Sequence, residues 1–443
     1  MTVLLVQPPF DPTDRMPPLG IACLAAALRV HDYDVKVLDL NLRWTKSIDE
    51  MVADVRGTDC DVVGLTCWGN TAPFCIEFSR KLKDEDPSIV TILGGEIATF
   101  LADDLLKLGS IDFVVKGEGE ETLVELLDCI DTGGVSNVAG IVYQDGDRTV
   151  TTVERGPMNL DALPFPAWDL FESLDVYQKF EPDRVLPLQA SRGCVFNCIF
   201  CSVIKTWYGT QRRKSPSRLI EEIEYLINTF GVNCLSFHDD AFALNEGWVK
   251  TVCEELIAHN IEVKWGFNTR PDLMSEELLA LLRTAGCSKI FYGIESFSPG
   301  VLKFMRKDIT PDVMRRCVEK TVEANITPDV SVIYGFPIET EQEVETLIDG
   351  CVNLQRMGAE NINQHVLSPY PGTDITARYE TEAIPDPFLK LLRPNLINVD
   401  LLRKYPDYVP DLWIFKHYNM TTQRFLQLYL EAFVRVSAKE VFI

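Results

Sequence analysis

Basic residues are in short supply in this chain: 42 Lys and Arg stand against 66 Asp and Glu, a formal charge of −24. A surface that tracks nucleic-acid phosphates needs clustered Lys and Arg to release counterions, so no nucleic-acid partner is expected. Long apolar runs are missing too, since no stretch approaches the ~20 uninterrupted apolar residues of a membrane span. The start, Met1-Thr2-Val3-Leu4-Leu5-Val6-Gln7-Pro8-Pro9, lacks a basic flank and reads as a strand entering a loop rather than a secretory signal. No membrane partner and a cytoplasmic location are therefore expected. Thirteen cysteines, an odd number scattered through apolar segments, make a poor disulfide framework and suit a reducing compartment. Histidine is rarer still, with His31 alone before His238. At 443 residues and 46% hydrophobic content the chain is neither disordered nor fibrous, and it is long enough for two or three cores.

What the chain does contain is a repeated alternation of strand and helix patterns. Within 1–140, β-branched runs predict strands over 3–6, 35–38, 62–66, 90–93 and 113–115, with helices over 21–29, 72–83, 102–108 and 120–131 between them. This is the pattern of a parallel sheet with crossover helices. Each strand ends in a turn-forming segment: Gln7-Pro8-Pro9, Cys67-Trp68-Gly69-Asn70, Gly94-Gly95-Glu96 and Lys116-Gly117-Glu118-Gly119-Glu120. In an open α/β sheet those carboxyl ends form the ligand crevice. A dinucleotide fold is the simplest reading, yet no G-x-G-x-x-G follows the first strand. The acidic Gly117-Glu118-Gly119-Glu120 comes too late to cradle a pyrophosphate.

Residues 141–185 hold a hairpin pattern through Asp145-Gly146-Asp147 and the proline-rich Leu163-Pro164-Phe165-Pro166-Ala167-Trp168, and read as a linker. The alternation restarts at 186, with strands predicted over 186–190, 234–238, 262–268, 289–294, 328–334 and 361–366. Six such units build an incomplete parallel barrel whose chemistry belongs at the strands' carboxyl ends. Residues 371–443 read as mostly helical.

Directly after the first of these strands comes Ser191-Arg192-Gly193-Cys194-Val195-Phe196-Asn197-Cys198-Ile199-Phe200-Cys201, a C-x3-C-x2-C spacing. One loop with this spacing can wrap three corners of a cubane [4Fe–4S] cluster, because thiolates are the soft ligands such clusters take. The fourth iron is left without a protein ligand. Gly193 supplies backbone freedom where the loop turns, and Phe200 can shield the cluster. The spacing disfavours three alternatives. Structural zinc takes four protein ligands, an electron-transfer cluster needs a fourth cysteine where Cys234 reads as strand core, and plain core cysteines need no such pattern. The Arg212-Arg213-Lys214 run that follows reads as a solvated loop, with a role beside an anionic ligand as the alternative.

This loop and the five strands after it resemble the radical S-adenosylmethionine superfamily over roughly 186–370. The resemblance implies that the open iron chelates the amino and carboxylate groups of S-adenosylmethionine and passes an electron into its sulfonium, giving a 5′-deoxyadenosyl radical. It also implies an external electron donor such as flavodoxin or ferredoxin. Carried over residue by residue, Asp240, with Asp239 next in line, faces the cofactor's amino group; a helix N-cap pair is the alternative. Arg270 pairs with its carboxylate, against a plain ion pair with a neighbouring acid. Glu295, in Gly293-Ile294-Glu295-Ser296, bonds its polar groups, and Gly335 lets the backbone approach the adenine.

The first 140 residues resemble the cobalamin-binding domain that precedes the barrel in one large subfamily. The matching elements are Pro8-Pro9, Pro17-Pro18-Leu19-Gly20, Leu65-Thr66 with Trp68 beyond it, Gly94-Gly95-Glu96 and Gly117-Glu118-Gly119. Gly94 and Gly95 would let the backbone lie against the corrin or nucleotide tail, and Thr66 would hydrogen-bond it. The D-x-H-x-x-G motif that supplies a lower cobalt ligand is absent, and Ile97 stands where many relatives have a histidine. Cobalamin bound base-off, without a histidine ligand, is the expectation. Together the resemblances imply an α/β chain. Its parts would be a Rossmann-like cobalamin domain (1–140), a linker (141–185), a partial (β/α)6 TIM-type barrel (186–370) and a helical C-terminal region (371–443). The implied activity is radical methylation of an unactivated carbon in a small-molecule or peptide substrate. Cobalamin-assisted cyclisation or skeletal rearrangement is the alternative. A cobalamin sensor would use the first domain alone, which the cysteine loop and barrel count against.

Overall fold

The computed structural model describes residues 1–11, 16–130, 132–177, 183–385, 404–408 and 413–437. The chain divides into two compact units, one of residues 1–180 with 389–412, the other of 181–388 with 413–443.

In the first unit, β1 (Thr2–Gln7), β2 (Asp34–Asp39), β3 (Val62–Thr66), β4 (Val90–Gly94) and β5 (Phe113–Val115) run parallel in the order β2-β1-β3-β4-β5. Their apolar runs are buried, as Val3 to Val6 in β1 illustrate. The order reverses between β1 and β3, and such switch points open a crevice at the carboxyl ends of the strands. Helix Ile48–Arg56, absent from the expected elements, starts at a Ser47/Glu50 capping box. Helix Glu96–Leu106 begins six residues before the expected 102, immediately after Gly95.

Of the span expected as a linker, all but the last five residues belong to this unit. β6 (Ile141–Asp145) and β7 (Arg148–Thr151) add antiparallel to the edge of the same sheet. Beyond them Ala167 N donates to Ala22 O at 3.0 Å, Trp168 is buried, and the Tyr177 hydroxyl donates to Asp39 at 2.6 Å. Burying these groups fixes the segment to the sheet's own core.

The second unit is a six-stranded, wholly parallel sheet of β8 (Val185–Leu188), β11 (Cys234–Phe237), β12 (Lys264–Thr269), β13 (Cys287–Glu295), β14 (Thr327–Tyr334) and β15 (Ile362–Val366). Each strand pairs with its sequential neighbour, in the half-barrel arrangement. β9 (Ser191–Arg192) and β10 (Arg212–Arg213) form a separate two-stranded ladder. Phe237, Phe242, Trp265 and Phe267 pack as one aromatic cluster beneath the β11–β12 end. In the C-terminal region, β16 (Ala383–Pro385) pairs with β17 (Trp413–Phe415), and helix Thr422–Ser437 ties to helix Glu341–Arg356 through Arg424–Glu341 and Arg435–Glu345 ion pairs. Helix Asp374–Tyr379 also falls in the expected helical region, of which 386–403, 409–412 and 438–443 lie outside the described residues. No helix among the described residues is long and apolar enough to cross a membrane.

Candidate active site

The β9–β10 ladder closes the neck of the cysteine loop, so Arg212 and Arg213 are paired backbone rather than free loop; Lys214 pairs with the buried Glu222. Gly193 sits just inside the neck at φ +99°, where a Cβ would come 2.0 Å from Thr210 O. Only glycine fits there. The end of β11 supports the same neck. Asp240 Oδ2 accepts Gly193 N–H at 2.9 Å, while the wholly buried Asp239 accepts Ala190 N–H at 3.1 Å and the Ser191 hydroxyl. Burial pushes the Asp239 carboxyl up to about 7. With both oxygens engaged under the loop, Asp239 is a support for it rather than the contact to a cofactor amino group expected above. Asp240 is exposed.

Cys194, Cys198 and Cys201 are each partly buried in this loop. Burial raises all three thiols, Cys201 to about 12, while Lys307 and Arg270 pull Cys198 the other way. Metal binding must displace those protons. Ile199 N–H donates to Met305 O at 3.0 Å and Ile199 O accepts Ile375 N–H at 2.9 Å, fixing the loop from both sides. Phe200 packs edge-on against the buried Phe336, 6.0 Å between centroids. Among the described residues no three His, Cys, Asp or Glu converge closely enough to share one metal ion. A cubane asks less, because each thiolate takes a separate iron corner and the three need only ring a common space.

Arg270, one residue past β12, combines both expected readings. Its Nε and Nη2 grip Asp272 bidentately at 2.9 Å, and its Cζ lies 3.7 Å from the centroid of the loop residue Phe196. The remaining Nη1 is buried without an acceptor, as is the Thr269 hydroxyl. A native fold rarely leaves such groups unmatched. Their place beside the cysteine loop fits an anionic, hydrogen-bonding ligand group such as the carboxylate of S-adenosylmethionine.

Glu295 ends β13 at φ +67°, beyond a bulge at Gly293. Its oxygens meet Lys307 Nζ and the Ser331 hydroxyl, both at 3.0 Å. Both oxygens are thus occupied by protein, where a cofactor contact was expected. Lys307, with 4% of its side chain exposed, is a buried partner of Glu295 that the sequence reading misses; a single lysine inside Met305-Arg306-Lys307-Asp308 carries no periodic signal. Gly335 at φ +98° also differs from expectation. The space its missing side chain leaves is held by Phe425, 3.2 Å from a Cβ position, and by Val366 at 3.5 Å, so on that face the glycine admits the C-terminal helix rather than an adenine. Gly335 N–H and Phe336 N–H donate to Glu339 Oε2 at 2.7 and 3.1 Å, and burial pushes this carboxyl, also missed in the sequence, up to about 8.

In the first unit, the carboxyl-end turns are bound to one another. Cys67 N–H donates to Gly94 O at 2.7 Å and Ile97 N–H to Cys67 O at 3.2 Å. A Cβ on Gly95 would lie 2.8 Å from Cys67 O, so that glycine is required by the crossing of two turns. Thr99, missed in the sequence, links the next pair by donating to Gly95 O and accepting Gly117 N–H. Glu118 is buried on Met158 N–H at 3.0 Å, and Gly119 closes on Leu24, 3.0 Å from a Cβ position. Pro8 is buried, its carbonyl taken by Gln7. Gly94, Glu96, Thr66 and Leu19 are partly buried.

The open positions in these segments are Gly20, with nothing within 4 Å of a Cβ, and Trp68, 51% exposed on a turn held by Thr71 Oγ1. An exposed indole and a bare backbone at this edge fit a large flat ligand. Ile97 is core, and His31, exposed at the far end of helix Leu19–Val30, bonds Ala27 O.

Residues 12–127 match the B12 binding domain family and residues 188–350 the radical SAM superfamily. The chain belongs to the radical S-adenosylmethionine superfamily, among the members whose barrel follows a B12-binding domain. It is a cobalamin-dependent radical S-adenosylmethionine enzyme, with a [4Fe–4S] cluster, S-adenosylmethionine and cobalamin as cofactors. An uncharacterized methyltransferase of Pyrococcus horikoshii is 29% identical over 384 residues, 84% of this chain and 82% of that protein. The anaerobic magnesium-protoporphyrin IX monomethyl ester cyclase of Rubrivivax gelatinosus is 29% identical over 394 residues, 85% of this chain and 69% of its own. In fold, the chain is similar to the radical S-adenosylmethionine methyltransferase TsrM from Kitasatospora setae, with a TM-score of 0.75 at 19% identity over 99% of this chain and 88% of that one.

Proposed function

We propose that this enzyme methylates an unactivated carbon of a small-molecule or peptide substrate. The carrying observation is that the similarity to the Pyrococcus horikoshii methyltransferase runs through most of both chains and so takes in both units. Bound in place, the cluster with S-adenosylmethionine supplies a radical able to take hydrogen from an inert carbon, and cobalamin supplies a methyl group. The chain's own residues hold and shield. Cys194, Cys198 and Cys201 hold the cluster; Arg270 Nη1 and the Thr269 hydroxyl take polar groups of S-adenosylmethionine; Phe200 and Phe336 keep water from that side. Gly20, Thr66 and Trp68 would meet the corrin, and this unit's only histidine, His31, lies exposed at the far end of its helix. An external donor of the flavodoxin or ferredoxin kind provides the electron.

Cyclisation or rearrangement is the second reading, favoured by the similarity to the Rubrivivax gelatinosus cyclase. Anaerobically reconstituted chain, methyl-deuterated S-adenosylmethionine and candidate substrates made by neighbouring genes decide between them. Methylation gives a product bearing the labelled methyl group, with deoxyadenosine and S-adenosylhomocysteine in about equal amounts. Deoxyadenosine alone, with a mass-unchanged or dehydrogenated product, selects the second reading. Changing all three cysteines to Ala removes the cluster, about four iron per chain, and deoxyadenosine formation with it.

A further inference from the structure

With 66 acids against 42 bases, this chain repels an acidic electron carrier overall, so fast reduction calls for a local cationic landing place next to the cluster. The surface beside the cysteine loop has one. The segments that fix Ile199 bring their charges with them: Asp374 pairs with Arg306 at 2.6 Å and with Lys205 at 3.0 Å, drawing together three stretches of chain around the loop. Lys303 lies one turn before Arg306, whose N–H donates to Lys303 O. Arg378 lies one turn beyond Asp374 on helix Asp374–Tyr379, on the same face. Lys205 and Arg306 keep 44% and 42% of their side chains exposed despite their shared acid. Lys303 and Arg378 are exposed and form no ion pair among the described residues. Asp308, at the rim, is also exposed.

We infer that Lys205, Lys303, Arg306 and Arg378 form the docking face for a small acidic one-electron carrier protein that reduces the cluster. The inference rests on the reading of the cysteine loop as a [4Fe–4S] site. One electron leaves the reduced carrier and enters the cluster; the carrier is oxidised by one electron, the cluster is reduced by one, and no bond or proton moves. The backbone of Ile199 bonds directly to both flanking segments, so a carrier seated on them stands against the 198–201 stretch. Exposed charges of this kind speed encounter rather than build a tight complex, which makes the step salt-sensitive.

The test uses the full chain with its reconstituted cluster, reduced in stopped flow by flavodoxin hydroquinone or by photoreduced deazariboflavin, a small uncharged reductant. Lys303→Glu with Arg378→Glu leaves the Asp374 web intact. At low ionic strength the flavodoxin rate should fall ~10-fold or more in this variant and less in Lys303→Gln with Arg378→Gln, and the wild-type rate should itself fall as salt rises to ~0.3 M. Iron content and the deazariboflavin rate should match wild type. An unchanged flavodoxin rate with full iron content would overturn the docking face while leaving the cluster reading intact. Equal slowing by both reductants would also overturn it, marking these cations as part of the loop's own support. Wild-type chain that binds no iron would instead remove the cluster reading.

Discussion

Asp240 and Gly193 are joined by a 2.9 Å hydrogen bond from the glycine N–H to Oδ2, so the end of the second barrel strand holds the entrance of the cysteine loop. A charge-assisted bond to an exposed carboxylate is worth about 1.5 kcal/mol, the low end for ionic acceptors. Asp240→Ala should therefore loosen the loop roughly tenfold, seen as faster loss of iron to a chelator. Asp240→Asn keeps an acceptor and should lie between. Equal iron-loss rates in all three proteins would show that the bond does not hold the loop.

Gly193→Ala asks a harder question of the same neck. At φ +99°, with Thr210 O 2.0 Å from the added carbon, the backbone must move and the β9–β10 ladder must open. Iron binding should fall to a small fraction of wild type while the melting of the first unit is unaffected. Full iron binding by this variant would contradict the neck geometry.

Glu295 and Lys307 form a buried pair, with Ser331 on the second carboxylate oxygen. Removing one member of such a pair costs about 3–5 kcal/mol, whereas replacing both by apolar groups is often close to neutral. Glu295→Gln should destabilise the second unit by that order in denaturant unfolding, and the double change Glu295→Met with Lys307→Met should restore much of the loss. A double variant no more stable than the single would argue against the pair as the source.

The contrast between what was readable and what was not follows the range of the forces involved. β3 and β5 are legible as short buried β-branched runs between turn residues, and the cysteine loop as one local spacing. Helix Ile48–Arg56 is short and acidic, its best signal being the Ser47/Glu50 box. Helix Glu96–Leu106 starts where it does because Gly95 crosses Cys67, a tertiary requirement that periodicity does not record. Glu118 sits in a glycine-rich turn typical of a ligand loop, yet its carboxylate holds Met158 N–H, 40 residues away. Lys307 acquires its role only when the chain turns back onto Glu295 after β13, and Glu339 only when its turn is buried around the Gly335 and Phe336 N–H groups. The hairpin was visible in Asp145-Gly146-Asp147, but nothing local tells that it extends the first sheet.

Glu339 makes the chain's stability depend on pH. Its folded value of about 8 lies above the ordinary carboxyl value of 4.5, because burial outweighs the two N–H donors. The folded state therefore binds a proton the unfolded state has released. This stabilisation is complete below the unfolded value and is lost as pH rises to about 8, at up to about 1.4 kcal/mol per pH unit. Asp239 acts in the same direction, ending near 7. The unfolding midpoint of cluster-free chain should fall from about pH 5 to about pH 8, and Glu339→Gln should flatten the upper part of that fall. An identical slope in the variant would remove Glu339 from the account.

Glu77 acts in the opposite sense and ties down a distant stretch of chain. Its carboxylate accepts Arg80 Nη2 and Lys404 Nζ at 2.7 Å and the Tyr405 hydroxyl at 2.9 Å, and Arg80 foremost, with the other two, holds it at about 2. Tyr405 and Tyr408 pack on the core of the first unit. The interaction is present above the ordinary carboxyl value of 4.5 and is lost as pH falls toward 2. Arg80 and Lys404 are half exposed, so solvent screens their share and the hydroxyl bond and packing carry much of the rest. Glu77→Gln should speed amide exchange over 404–408 by roughly fivefold, about 1 kcal/mol. Tyr405→Phe should do less, and exchange in β3 should stay as it is. Wild-type protein brought toward pH 2 should approach the Glu77→Gln pattern, because protonation and amidation remove the same charge. Protection of 404–408 that ignores both changes would mean that packing by the tyrosines alone holds the segment.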